Sequence, residues 1–200
     1  GLFRVNWYRG DQYFLNSGGW RGTWEMDGGG SLMNQGVHTV DLMQWLLGDV
    51  KSVCSCAAVL NHKIETEDFT NSIITFKNGA VVNLISTTCA YPGFGTDLQV
   101  SGTNGSIQAD GSRLVAWKIK SESKEAEEAE TAAMLEKYGG GNKAGGADDP
   151  TNIRTFGHAY QVQDMIDAVR FDRDPKVGPI EATKAVKIIN AVYESARTGK

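Results

Sequence analysis

The chain has 200 residues, 40% of them hydrophobic and 22% charged, an ordinary balance for one globular domain able to bury its own core. Its 20 basic and 24 acidic residues give a formal charge of -4 with no basic block, which argues against a nucleic-acid partner. No apolar run approaches bilayer length, and the amino terminus Gly-Leu-Phe-Arg-Val-Asn lacks the blocks of a signal peptide, so a soluble, cytoplasmic protein with no membrane partner is expected.

In chain order, residues 2–9 alternate as a strand with Phe3, Val5 and Trp7 on one face. Residues 11–27 read as a glycine- and aromatic-rich loop, within which Trp20-Arg21-Gly22-Thr23-Trp24 places a guanidinium between two indoles. Arg21, with Trp24 beside it, is a candidate substrate contact because arginine offers a fixed fork of donors; a stacked, supporting arginine is the alternative. Gly28 to Gly48, GGGSLMNQGVHTVDLMQWLLG, reads as a close-approach loop followed by a helix of about four turns. At 100° per residue Asn34, His38, Asp41 and Trp45 share a stripe about 60° wide. Leu32, Met33, Val40, Leu42, Met43, Leu46 and Leu47 surround it, so a largely buried helix with its polar stripe facing a cleft is expected.

Strands are then expected over 50–60, 71–77, 80–88, 98–101, 106–109 and 114–119, with Asn78-Gly79 as a hairpin turn. Tight turns between successive strands imply an α+β fold: a predominantly antiparallel, open-faced sheet of about six strands, helices covering one face. The open face, with Val81 and Leu84 on it, would need a partner copy. Residues 121–137 read as a solvated helix or excursion, and 139–150 as a mobile loop. Helices over 156–171 and 180–197 should cover the sheet. Cys54 and Cys56 alternate on one strand with His62 nearby, but no four-ligand set exists, so no metal is expected; three cysteines make no disulfide framework.

The run from Gly28 to Gly48 closely resembles the pattern that opens the C-terminal domain of the Gfo/Idh/MocA oxidoreductases, the family of glucose-fructose oxidoreductase and inositol dehydrogenase. The similarity continues through Trp20 to Trp24, Phe76-Lys77-Asn78-Gly79-Ala80, Val100-Ser101-Gly102-Thr103-Asn104-Gly105-Ser106 and the last two helices, so it covers nearly the whole chain. It implies a dihydrodipicolinate-reductase-like C-terminal domain over residues 1–200, with the nucleotide-binding domain absent, since no G-x-G-x-x-G opens the chain. It further implies a dehydrogenase of sugars, sugar derivatives or cyclitols that uses NAD or NADP, the cofactor being held mainly by the missing domain, and that assembles as a dimer or tetramer. The isolated chain would be inactive.

Carried over by position, His38 is the acceptor of the hydroxyl proton, a task suited to a base that titrates near neutrality. Asn34 stands where aspartate is usual; an amide keeps hydrogen-bond geometry but adds no charge, so Asn34 is expected to position substrate or His38. Asp41 either orients the ring, contacts substrate or supports the helix. Gly28, Gly29 and Gly30 suit close approach to the nicotinamide, or equally an unusual helix entry. A non-catalytic dimerisation or ligand-binding module is the alternative function.

Overall fold

The computed structural model describes residues 1–140 and 156–200. In chain order the elements are β1 (Leu2–Asn6), α1 (Asp11–Leu15), α2 (Ser31–Asn34), α3 (Val37–Leu47), β2 (Val50–Ala58), β3 (Phe69–Phe76) and β4 (Val81–Thr87). They continue with β5 (Gly95–Gly102), β6 (Gly105–Asp110), β7 (Arg113–Ile119), α4 (Lys124–Tyr138), α5 (Phe156–Arg170) and α6 (Pro179–Thr198). The seven strands form one sheet in the order β2-β3-β4-β1-β5-β6-β7. Every neighbouring pair is antiparallel except β1 and β4, which run parallel with Leu2 beside Asn83. The antiparallel expectation holds, with one more strand than expected and a parallel seam at the centre.

Period-two alternation sets the faces. Along β4, Val82, Leu84 and Ser86 are buried, whereas Val81 is 52% exposed. Phe3 and Leu84 pair across the seam, and both are fully buried with Val5, Ile74, Phe76 and Val82. This corrects the assignment of Leu84 to the open face: it lies one residue out of phase with Val81 and joins the core. Leu32, Val40 and Met43 from α2 and α3, and Ala185, Ile188, Ile189 and Val192 from α6, close that core. Each large side chain so buried contributes about 1.5–3 kcal/mol. At the sheet edge the Ser195 hydroxyl of α6 accepts from the Ser55 N–H at 3.0 Å. The Asn78-Gly79 turn joins β3 to β4 as expected, with Gly79 at φ +91°.

The central helix is not one rod. It breaks at Gln35-Gly36, where the Gly36 N–H donates to the Ser31 carbonyl, five residues back, at 2.9 Å. A Cβ on Gly36 would lie 2.8 Å from the Leu32 oxygen, so the tight passage depends on glycine. Nor is the helix largely buried: only Thr39, Val40, Met43 and Gln44 of α3 are, and Trp45 is 75% exposed. Within the 11–27 loop, Asp11–Leu15 forms a helical turn. α6 covers the sheet but α5 does not do so with its apolar stripe, since Val162, Ile166 and Val169 are exposed and Ala168 is buried. The 121–137 segment is the helix α4, started by the Ser123 hydroxyl accepting from the Ala126 N–H. Most of the expected mobile loop, 141–150, lies outside the described residues. Among the described residues, no helix is long and apolar enough to cross a membrane.

Candidate functional site

The backbone entering α2 is fixed by one buried carboxylate. Glu67, 3% exposed, accepts from the Gly30 N–H at 2.8 Å on one oxygen and from the Leu32 N–H at 2.8 Å on the other. Its carbonyl accepts from the Ser31 N–H at 2.9 Å, and the Tyr193 hydroxyl of α6 donates to the carboxylate at 3.0 Å. Burial pushes the Glu67 carboxyl above its ordinary range against the pull of these donors. Burial and the Glu67 charge raise the Tyr193 phenol as well.

This clamp explains two of the three glycines. A Cβ on Gly30 would sit 1.8 Å from the Glu67 carbonyl oxygen, and one on Gly29 would sit 2.4 Å from the Tyr193 hydroxyl. Gly29 and Gly30 are buried against the protein itself; Gly28, at φ +71°, is exposed with open space where a Cβ would be.

Asn34 fastens the same loop. Its amide nitrogen donates to Asp27 at 3.0 Å and to the carbonyls of Gly29 and Gly30 at 3.1 and 3.3 Å. Asp27 in turn accepts from the Gly22 N–H at 2.7 Å, which ties the residues after Arg21 to the start of the helix pair. The amide is thus turned back onto its own loop. Among the described residues it makes no hydrogen bond to His38.

Asn34, His38, Asp41 and Trp45 are all exposed, Asn34 at the end of α2 and the other three on α3, so the expected stripe is divided by the break at Gln35-Gly36. Among the described residues His38 has no hydrogen-bond partner, and Asp41 turns toward α5, where it lines a groove of about 660 Å³ with Tyr160, Asp164 and Met165.

The two indoles do not flank Arg21 together. Its guanidinium stacks on Tyr13 at 4.2 Å and on Trp20 at 4.8 Å, donating to the Tyr13 carbonyl at 3.3 Å. Trp24 instead packs edge-on against Tyr193 at 5.3 Å and donates its indole N–H to the Glu65 carbonyl at 3.0 Å. Arg21 and Trp24 therefore pack against different partners.

His62 does not approach the Cys54/Cys56 pair, which lies exposed on β2. It is buried with Asp68 and Cys89, whose ligand atoms and its own lie within 4.8 Å of one another. One ring nitrogen faces Asp68 at 3.0 Å and the other the Arg9 carbonyl at 2.7 Å, so both are engaged in hydrogen bonds. Burial, then the Asp68 hydrogen bond, pushes the Cys89 thiol up to about 11, away from the thiolate a metal needs. Burial opposes the charge on Asp68, yet the N–H groups of Leu60, His62 and Asn61 hold its carboxyl below the usual range. The cluster is a lock between the β1–α1 connection and the start of β3.

Glu67, Asp68 and Tyr193 escape sequence reasoning. Ile64-Glu65-Thr66-Glu67-Asp68 falls between the strands expected over 50–60 and 71–77 and received no assignment, although Thr66, Glu67 and Asp68 are buried.

The description GFO/IDH/MocA C-terminal domain fits residues 2–108, more than half of the chain and all of the segment that carries the loop, the helix pair and Glu67. The chain belongs to the GFO/IDH/MocA family. Comparison with curated proteins gives no match. Among solved structures, the WlbA dehydrogenase of Bordetella pertussis, in complex with NADH and UDP-GlcNAcA, is similar over 100% of this chain and 55% of its own, at 28% identity and TM-score 0.77. The WlbA dehydrogenase of Chromobacterium violaceum, with the same two molecules, is 29% identical over 100% of this chain and 53% of its own, at TM-score 0.76. GenD2 from gentamicin A biosynthesis, in complex with NAD, is 26% identical over 100% and 52%, at TM-score 0.65. The chain spans about half the length of the structures it matches. Family membership and the mainly antiparallel α+β sheet agree, and the relatives are oxidoreductases.

Proposed function

We propose that this chain is the substrate-binding and oligomerisation part of an NAD(P)-dependent oxidoreductase acting on a sugar, sugar derivative or cyclitol hydroxyl. The observation that carries the reading is the outward-facing His38, without a partner in the described chain, on a helix start fixed by the Glu67 clamp. The bound NADH and UDP-GlcNAcA of the WlbA dehydrogenases and the NAD of GenD2 support it.

The glycine run is no pyrophosphate cradle, because the N–H groups of Gly30 and Leu32 are already taken by Glu67. The nucleotide is therefore assigned mainly to a separate nucleotide-binding domain, with Gly28 left open toward it. A nicotinamide bound there would supply the hydride acceptor. His38 takes the hydroxyl proton as the hydride leaves, and its exposure gives it a route to return that proton to water. Asn34 holds the loop and offers its amide oxygen to substrate, while Asp41, Arg21 and Trp24 provide the surrounding polar and aromatic contacts.

On the open sheet face, Ile73 and Val81 are 53% and 52% exposed beside half-buried Leu2 and Ile85, and we assign this face to packing between copies as a dimer or tetramer. A second reading, a ligand-binding module without turnover, is favoured by one observation: neither Asn34 nor Asp41 orients His38. Following nicotinamide reduction by the full-length protein with NAD and NADP across a panel of sugars, sugar acids and cyclitols separates the two. Turnover of at least one compound supports the oxidoreductase, and binding without turnover supports the module.

A further inference from the structure

A groove of about 780 Å³ opens between the carboxyl half of α6, the start of β2 and the end of α3. Val50, Val53 and Ile188 supply its apolar lining, and all three belong to the hydrophobic core or pack against it. Lys51, Lys77, Lys184, Lys187 and Lys200 stand around it, against only two carboxylates, Asp49 and Glu194. Both carboxylates are already matched by cations: Asp49 pairs with Lys77 at 3.1 Å and Glu194 with Arg197 at 2.9 Å. Lys184 pairs with Glu181 at 2.7 Å, which leaves Lys51, Lys187 and Lys200 without a carboxylate partner among the described residues.

One lining group is buried and unsatisfied. Gln44, on α3, is 8% exposed and borders the groove, yet its side-chain amide makes no hydrogen bond among the described residues. A buried amide without a partner is costly, and such groups are normally paired, so a ligand atom in the groove would complete it. A surplus of cations, in a chain whose formal charge is -4, draws an anion, and the aliphatic side chains beside them suit an apolar body. Arg21, Asn34, His38 and Asp41 do not line this groove, so it shares none of these residues with the sugar site proposed above.

We propose that this groove is a second ligand site, for an amphiphilic organic acid: an apolar ring or chain against Val50, Val53 and Ile188, an acid group held by Lys51 and Lys187, and a hydrogen bond to the Gln44 amide. Lysine ammonium groups act as compact point charges, so they serve a carboxylate and a phosphate monoester alike. About 780 Å³ lies within the ordinary range of small-molecule sites and accommodates a bicyclic aromatic acid. The proposal is independent of the role given to His38.

The test is calorimetric titration of the full-length protein with naphthoate, naphthyl phosphate, naphthol and acetate, repeated on the double variant Lys51→Gln with Lys187→Gln and on Gln44→Leu. At least one naphthyl anion should bind about tenfold or more tightly than either naphthol or acetate, and removing both lysine charges should erase its preference over naphthol. Naphthoate ahead of the phosphate ester names a carboxylate ligand, the reverse names a phosphate, and equal affinity for the two supports the acid chemistry they share. Gln44→Leu should weaken the anion about threefold or more while Tm holds or rises, because the substitution removes a buried amide that the described chain leaves unpaired. Lys51 and Lys187 are exposed, so the double variant keeps the proposal testable should Gln44→Leu not fold. Equal affinity for the naphthyl anions and naphthol, no binding of any naphthyl probe, a preference that survives loss of both lysine charges, or unchanged affinity in Gln44→Leu overturns the proposal.

Discussion

Replacing Glu67 tests the clamp beneath the site. In Glu67→Ala the buried N–H groups of Gly30 and Leu32 lose their acceptors and the Tyr193 hydroxyl loses its partner. An unsatisfied buried donor costs about 1–3 kcal/mol; with the half-buried Tyr193 discounted, the expected loss is about 3–5 kcal/mol. For a domain of this size that lowers Tm by about 6–20 °C. Glu67→Gln keeps one acceptor oxygen but turns an NH2 group toward the other N–H, and should lose about 1–3 kcal/mol. Since burial raises the Glu67 pKa, its advantage over glutamine is largest at acid pH and declines as pH rises through that raised value. Calorimetric unfolding reads the stability, and amide exchange at Gly30, Ser31 and Leu32 should accelerate in both variants. A Glu67→Ala loss below about 0.5 kcal/mol with unchanged exchange would show that the clamp does not hold the loop.

Three further outcomes follow from the same structure. Gly30→Ala forces a Cβ to 1.8 Å from the Glu67 carbonyl and should cost more than about 3 kcal/mol, whereas exposed Gly28→Ala, at φ +71°, should cost about 1–2 kcal/mol; equal melting temperatures would refute the distinction. Asp68 has a folded pKa below its unfolded one, so its stabilisation is present above about pH 4 and lost as pH falls; Tm of the wild type should drop more steeply than that of Asp68→Asn between about pH 6 and 3, and parallel curves would count against it. Ile73→Asp with Val81→Asp should turn a sedimenting dimer or tetramer into monomer, and a wild type already monomeric at high micromolar concentration contradicts assembly through this face.

Local chemistry was legible in the sequence. Asn78-Gly79 announced the hairpin because few other dipeptides accept positive φ at both central positions, and the alternation of β4 marked its two faces, apart from the phase error at Leu84. The spacing of Asn34, His38, Asp41 and Trp45 assigned them to one continuous helix, whereas the chain divides them between α2 and α3. Their surroundings were not legible, because burial depends on what packs over a helix, and the break at Gly36 arises from its contact with Leu32. The central β1–β4 seam joins segments some 80 residues apart in the chain, Leu2 beside Asn83, and no short-range pattern encodes it. Glu67 went unnoticed for a related reason: its donors come from Gly30, Leu32 and Tyr193, all distant in sequence. α5 shows the converse, an amphipathic pattern whose apolar face stays exposed.

The most direct measurement of the central claim compares kcat and Tm for His38→Ala in the full-length protein on a single preparation. As an exposed proton acceptor without a hydrogen-bond partner among the described residues, His38 should be dispensable for folding, with Tm within about 2 °C of wild type, while kcat falls by about 10² to 10⁴ and cofactor affinity holds. A kcat per folded molecule equal to wild type would contradict the role assigned to His38.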